Sequence, residues 1–255
     1  MTTTSWGSAQ AEMIAATSHA PETIADVVAQ LEAVQGVLDR LPDLYRENPV
    51  SDFNVLYTDI TRRILERHDD GAFRDPQFLN VLDVEFGKRY LDALHRWGSA
   101  GLVAPASWVV LFERYNDQRL RSLPCAVAGV NAHINYDLAF ALVATWERVG
   151  HANFGSPQHH DYLLINQVFK EAIPGLRRGF LTAWQRRIDQ INGNFDDWYE
   201  NLLVQLTRDH AWSRAQWLWH VRTNPILFEA GRSAMDRDAA VIGRVLLSPF
   251  CSLLQ

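Results

Sequence analysis

Apolar residues recur three and four positions apart along most of the chain, which is the spacing of amphipathic helices. Four such runs precede residue 121, at 24–41, 53–68, 78–97 and 105–120. The third has the clearest limits, because Asp75 and Pro76 form an N-cap with a first-turn proline and Gly98 supplies a stop. The pattern therefore predicts a mainly helical protein.

The second half of the chain repeats this pattern between proline and glycine breaks. Helices are predicted at 161–173, 176–191, 195–221 and 225–247, with breaks at Pro174-Gly175, Gly193 and Asn224-Pro225. No segment alternates apolar and polar residues as a strand does. Residues 1–20 are small, polar and aperiodic, so we expect a flexible arm there and a single helical domain over 21–255.

The stretch from Leu123 to Trp146 differs from the other runs, because it holds no lysine or arginine and its only formal charge is Asp137. A helix that is apolar all round is buried on nearly every side. Pro124 fits its first turn, and Gly150 is a C-cap candidate. We therefore predict an all-α bundle, a single domain packed around a buried central helix at 123–147.

Polar residues cluster in the middle of this apolar helix. His133 and Asp137 are four positions apart and share one face, while Asn131 and Asn135 share the nearly opposite face. A buried polar side chain without a partner costs about 1–3 kcal/mol. The cluster therefore predicts either an internal hydrogen-bond network or a polar cavity.

Composition narrows the classes of function. The net charge of −6 argues against a nucleic-acid partner, which normally requires a basic surface. The N-terminus lacks the basic and apolar regions of a secretory signal, so we expect a cytoplasmic protein. We expect no membrane partner either, because the polar cluster would be costly in lipid. Cys125 and Cys251 are expected to stay reduced.

Our preferred hypothesis is a small-molecule enzyme that uses His133 as general acid or base, held and polarised by Asp137. Such a pair in an apolar pocket suits cyclisation, isomerisation or elimination in specialised metabolism, without a cofactor. The expected enzyme is thus a lyase, an isomerase or a cyclase. Its expected substrate-binding residues are Asn131, Asn135, Tyr136, Asn166, Asp83 and Tyr90.

Two other functions and a purely structural role stay open. A metal-dependent hydrolase would combine His133 and Asp137 with His160 and Asp161, or with His159 or Asp83. A non-catalytic protein would use the same cluster to bind a small molecule. In a purely structural role, the pair would only fix helix packing. No phosphate-binding loop, serine-hydrolase elbow or zincin motif is present.

Charged residues on the predicted third helix indicate an exposed face. Glu85, Lys88, Arg89 and Asp92 stand three or four positions apart with opposite charges, which is typical of ion pairs on a solvated helix surface. The sequence therefore predicts no role for them at a site.

The segment from Asn131 to Leu138, with LDVEFGKRYLDAL before it and DYLLINQV after it, resembles an uncharacterised bacterial family of helical proteins. The resemblance covers roughly residues 40 to 250 and centres on Asn-Ala-His-Ile-Asn-x-Asp-Leu. Tyr136 and Phe140 depart from the family pattern, which implies a reshaped pocket. The family implies no known activity.

A second resemblance rests on one motif. The all-helical zinc phospholipase and nuclease group also places a histidine and an aspartate four positions apart on a helix. Sites of that group need more histidines and carboxylates at defined places, so the resemblance implies a test for metal at His133 and Asp137.

Overall fold

The computed structural model describes residues 5–42, 48–117, 119–120, 122–181 and 208–248. Helices fill most of these ranges, and no strand occurs within them. In chain order they are α1 (Trp6–Ala16), α2 (Ile24–Leu38), α3 (Pro49–Asp69), α4 (Pro76–Gly98), α5 (Ala106–Phe112), α6 (Ser122–Ala132), a π-helical turn (His133–Asp137), α7 (Leu138–Val149), α8 (Pro157–Leu181), α9 (Arg208–Val221) and α10 (Pro225–Leu246). The predicted all-α class is confirmed.

Local capping explains where several helices begin. The Asp75 side chain accepts a hydrogen bond from the Phe78 N–H, and Pro76 occupies the first turn of α4, as predicted. Asn224 and Pro225 start α10 in the same way. Helix α2 begins with a full capping box, in which Thr23 and Asp26 each accept from the other's backbone N–H.

Helices α6 and α7, joined by the π turn, form one continuous central helix from Ser122 to Val149. Helices α3 and α4 pack against one side of it, and α9 and α10 pack against it as well. The buried apolar side chains of these helices belong to one contiguous core cluster. The central helix ends at Gly150, whose φ of 97° is in the region that favours glycine.

Gly129 sets the distance between the central helix and α3. A Cβ atom at Gly129 would lie 2.3 Å from Phe53 Cδ2 and 2.7 Å from Phe53 Cβ, which is far inside contact distance. The missing side chain lets α3 approach closely enough to lay the Phe53 ring against the central helix. This contact fixes the position of the Phe53 ring.

The N-terminal residues differ from the expected flexible arm. Residues Trp6–Ala16 form a helix in which Ala9 and Met13 are buried, and Trp6 stacks on Tyr115 with ring centroids 4.1 Å apart. The segment is rich in alanine, which favours helix, but it has only two buried positions. The apolar residues of this segment are too few to predict a helix. The helix is stabilised by tertiary packing against α2 and α4.

Two other helix limits also differ from prediction. Helix α5 ends at Phe112 instead of continuing towards Leu120. Helix α8 runs through Pro174 and Gly175, where we predicted a break. Proline removes one helical hydrogen bond but does not by itself end a helix. The predicted helix at 176–191 lies partly outside the described residues. Of the predicted helix at 195–221, residues 195–207 lie outside them.

Cys125 lies in the central helix with 1% of its surface exposed and is a free thiol. Burial raises its pKa well above the usual value, so it packs as a small apolar residue, as expected. Cys251 lies outside the described residues. Within the described ranges, none of the helices combines the length and the apolar run that crossing a membrane requires.

Candidate functional site

The middle of the central helix is a π-helical turn at His133–Asp137, where the sequence predicted ordinary α-helix. The Leu138 N–H donates to the His133 carbonyl, five residues back instead of four. Such turns are rare, are frequently found at functional sites, and reposition the side chains that they carry. The polar cluster of the sequence therefore coincides with a local break in α-helical geometry.

His133 and Asp137 form a buried pair inside this turn. The His133 Nδ1 atom lies 3.0 Å from Asp137 Oδ2, and both residues are at most 3% exposed. Since a carboxylate only accepts hydrogen bonds, Nδ1 carries the hydrogen, and Nε2 is the basic nitrogen of the neutral ring. The predicted contact between the two residues is thus present.

Trp108 of α5 completes the support of this pair. Its Nε1–H donates to the same Asp137 oxygen at 2.9 Å. Helix α5 is in turn fixed by Asp236 of α10, whose two carboxylate oxygens accept from the Ala106 and Ser107 N–H groups at 2.9 and 2.8 Å. The carboxylate of Asp137 is therefore oriented from two directions. Sequence reasoning missed Trp108, because nothing in its spacing links it to Asp137.

Aromatic rings enclose His133. Phe86 stacks on the imidazole with ring centroids 3.5 Å apart, and Tyr57 meets it edge-on at 4.5 Å. Phe53, Trp108 and Tyr90 also have ring centroids within 6.4 Å of the imidazole. Helices α3, α4 and α5 supply these rings, which we call the aromatic cage. An apolar wall of this kind keeps bulk water away from the imidazole.

We expect at least one of Asp83, Asn166 and Tyr90 to lie within hydrogen-bonding reach of the polar cluster. Of these, Tyr90 is fully buried. Its ring belongs to the aromatic cage, but its hydroxyl donates to Asn54 Oδ1 at 3.3 Å, away from the pair. Asn54 in turn donates to the Leu31 carbonyl at 2.9 Å. Burial raises the pKa of the Tyr90 hydroxyl, so it stays protonated. Tyr90 therefore contributes packing and links α4 to α3.

The side chains of Asn131 and Asn135 form hydrogen bonds with other groups of the protein. Asn131 Nδ2 donates to the Ala239 carbonyl of α10 at 2.8 Å, and Asn135 Nδ2 donates to Asn131 Oδ1 at 2.9 Å. Arg214 of α9 donates to the Asn135 carbonyl at 2.9 Å. These bonds tie the π turn to α9 and α10. Both asparagines therefore position the turn, and their substrate-binding role stays a prediction.

Tyr136 is buried beside the pair and faces Phe140, with ring centroids 5.3 Å apart. Burial raises the pKa of its hydroxyl, and a hydrogen bond with Arg232 opposes that rise. Tyr136 thus links the π turn to α10. Of the other predicted binding residues, Asp83 is buried on α4, and the side chain of Asn166 lies outside the described part of the chain.

Of the proposed metal ligands, His133 and Asp137 lie together, but Asp161 and His159 are engaged elsewhere. Both oxygens of Asp161 accept from backbone, the Arg74 N–H at 3.0 Å and the Asp75 N–H at 2.6 Å. His159 Nδ1 accepts from the Gly155 N–H at 3.1 Å, and His160 lies in the first turn of α8. In the described residues no group of three or more His, Cys, Asp or Glu could hold a metal ion. Asp161 instead anchors the start of α4.

Arg89 of α4 is the residue whose environment differs most from prediction. The sequence placed it on a solvated face, but the structure buries its Nε atom and sets its Cζ 5.3 Å from the Phe140 ring centroid. Burial lowers the pKa of the guanidinium, and Asp137 is the strongest of the charges that oppose this. No spacing signal could reveal this, because Glu85 four residues earlier offers an ordinary surface partner.

Comparison with known proteins gives one match, to a family model. No curated protein and no solved structure matches the chain. One family model, that of DUF5995, a family of unknown function, matches residues 24–249 and so includes the whole π turn and its surroundings. The expected membership of an uncharacterised helical family is thereby confirmed. The chain belongs to the DUF5995 family.

Proposed function

We propose that the protein is a small-molecule enzyme in which His133 transfers protons and Asp137 holds and polarises it. The observation that carries this proposal is the π turn, which departs from α-helical geometry at the two residues that form the pair. A turn of this kind recurs at functional sites because it aims side chains that a regular helix would not.

The proposed chemistry needs only proton movement. His133 Nε2 takes a proton from one atom of the substrate and returns it to another atom or to the leaving group, while Nδ1–H stays bonded to Asp137. The carboxylate stabilises the imidazolium that exists between the two steps. No electrons are gained or lost, so isomerisation, cyclisation or elimination proceeds without oxidant or cofactor. Lyase, isomerase and cyclase activities all remain within this proposal.

The aromatic cage favours an apolar substrate. Phe86 and Tyr57 lie directly against the imidazole, so a molecule reaching His133 meets ring surfaces on several sides. Water excluded from such a surface neither competes for the proton nor traps a reactive intermediate. We propose a metabolite of specialised biosynthesis as substrate, in the cytoplasm, without nucleic acid or membrane as partner. The metal-dependent alternative loses support because Asp161 is engaged by backbone N–H groups.

A metabolite-conversion experiment tests the proposal. Wild-type protein is incubated with extract of the source cells, and chromatography with mass spectrometry identifies the compounds that disappear and form. We expect His133→Asn to lower this conversion at least about 100-fold, the lower end of what a general acid or base contributes. The asparagine amide keeps an N–H donor near Asp137 but exchanges no proton near neutral pH.

Trp108→Phe is the matched control, because it removes the other hydrogen bond to Asp137 and leaves the proton-transferring group in place. Conversion should fall much less in this variant than in His133→Asn at equal folded fraction by circular dichroism. Equal losses in the two variants would support the structural role of the pair. A compound that binds and is recovered unchanged would support the non-catalytic binding protein and contradict the proposed enzyme.

A further inference from the structure

Arg89 does not use the ion pairs that its helix offers. Glu85, four residues earlier, bonds Lys88 at 3.1 Å and Arg148 at 2.8 Å. Asp92, three residues later, bonds Arg96 at 2.6 Å. Both carboxylates that the sequence offers to Arg89 therefore pair with other cations. The Nε atom of Arg89 has no hydrogen-bond partner among the described residues.

The guanidinium lies beside the proposed proton-transfer site. Its Cζ stands over Phe140, whose ring also contacts Tyr136 at 5.3 Å and Phe228 at 5.8 Å. Asp137 and Tyr136 are the two strongest of the charged or titratable groups acting on Arg89. The side chain as a whole is half-buried, so part of it stays accessible while Nε is covered. Arg89 thus spans the distance between the surface and the pair.

Burying the Nε–H of Arg89 without an acceptor lowers the stability of the folded protein. A guanidinium carries five N–H donors in a planar fork, and leaving buried donors without acceptors costs more than leaving them in water. Among the described residues no hydrogen bond or ion pair joins Arg89 to Asp137, whose Oδ2 accepts from His133 and Trp108, so Asp137 acts on the guanidinium only through space. A planar carboxylate is the group that best matches such a fork, because it accepts two parallel hydrogen bonds.

We propose that Arg89 binds the carboxylate of an apolar monocarboxylic acid and thereby holds this substrate beside His133. Phe140 and Phe228 then contact the apolar part of the molecule near its anionic end. This inference rests on the proposed function, because it names the substrate class of the same site. It adds a specificity-determining residue, Arg89, which contacts the substrate and takes no proton from it.

Thermal unfolding with matched probe pairs tests this inference. The probes are octanoate with octanamide and phenylacetate with phenylacetamide, which differ in charge but hardly in shape. A ligand that binds only the folded state raises the unfolding midpoint, and at equal concentration the tighter ligand raises it more, because the stabilisation grows with the logarithm of concentration over Kd. We expect the carboxylate of at least one pair to bind wild-type protein about tenfold more tightly than its amide, as a charge-assisted hydrogen bond predicts.

Variants assign that preference to Arg89. Arg89→Met should remove it, and Arg89→Lys should retain the charge but reduce the preference, because lysine lacks the planar fork. Arg96→Met is the control, since Arg96 lies on the same helix and pairs with Asp92 at the surface. It should leave the preference unchanged. If Arg89→Met does not fold, a reduced preference in Arg89→Lys, with Arg96→Met unaffected, still supports the proposal.

Three results would overturn it: no binding of either carboxylate to wild-type protein, equal binding of acid and amide, or a full preference in the folded Arg89 variants. The outcome is separable from that of the proposed reaction, because binding needs no turnover. An Arg89-dependent preference without any conversion by wild-type protein would retain the anion site and refute the reaction. Conversion that requires His133 but is unchanged in the Arg89 variants would support the reaction and refute the anion site.

Discussion

Gly129→Ala should destabilise the protein by about 2–3 kcal/mol, although alanine is the better helix former. The new Cβ would fall 2.3 to 2.7 Å from Cδ2, Cγ and Cβ of Phe53. Rotating the ring cannot relieve the contact with the Phe53 Cβ, which is attached to the backbone. Helix α3 must therefore move away from the central helix, and the Phe53 ring must move with it, out of the aromatic cage.

Chemical denaturation of the wild type and two glycine variants measures this effect. Gly36→Ala is the matched control, because a Cβ there meets nothing nearer than the Arg40 Nη1 atom at 3.9 Å. It should stabilise the protein by about 0.5–1 kcal/mol through the helix preference of alanine. An unchanged or raised stability of Gly129→Ala would show that the close contact between α3 and the central helix does not exist.

Asp137→Leu should destabilise the protein by about 3–5 kcal/mol and abolish any turnover. Leucine has the same branching as aspartate but accepts no hydrogen bond, so the buried Trp108 Nε1–H and His133 Nδ1–H lose their shared acceptor. Each lost bond to a carboxylate accounts for about 1.5–3 kcal/mol. Asp137→Asn keeps one acceptor oxygen and should lose about 1–3 kcal/mol, leaving enough folded protein to assay.

A double-mutant cycle isolates the bond between Trp108 and Asp137. Unfolding free energies are measured for wild type, Trp108→Phe, Asp137→Leu and the double variant, because each single change removes the bond. A coupling energy of about 1 kcal/mol or more is expected, since the two groups share a buried hydrogen bond. Additive losses would mean that Trp108 does not orient the carboxylate, and that the pair is held by the helix alone.

The sequence predicted the fold better than the site. Residues 123–147 were identified as a buried helix from their lack of charge, and Asp75, Pro76 and Gly98 fixed the limits of α4. These signals are local, because burial and capping act within one or two turns. The N-terminal helix was missed because its order comes from Ala9 and Met13 packing on other helices.

The contact between His133 and Asp137 was predictable because four-residue spacing is a property of the helix itself. The π turn was not, since the spacing of apolar residues around it fits an α-helix equally well. Its supports lie far along the chain: Trp108 is 29 residues from Asp137, and Ala239 is 108 residues from Asn131. Contacts of that kind depend on how the helices assemble.

Arg89 also shows the limit of local sequence signals, because here such a signal led to a wrong prediction. Its neighbours in sequence, Glu85 and Asp92, made a surface ion pair the natural prediction, and each of them does form one. Local spacing cannot decide which cation takes which carboxylate. Arg148, which lies 63 residues from Glu85 in the sequence, forms an ion pair with Glu85. Arg89 lies against Phe140 instead.

Incorporation of solvent deuterium tests most directly whether His133 moves a proton to and from a small molecule. Wild-type protein and His133→Asn are incubated in D2O with the extract fraction that contains the converted compound, and mass spectrometry follows the deuterium content of substrate and product. We predict that a compound gains deuterium with wild-type protein and gains none with His133→Asn. Equal deuterium incorporation with both proteins, or conversion that His133→Asn leaves undiminished, would contradict the assignment of His133 as the proton-transferring group.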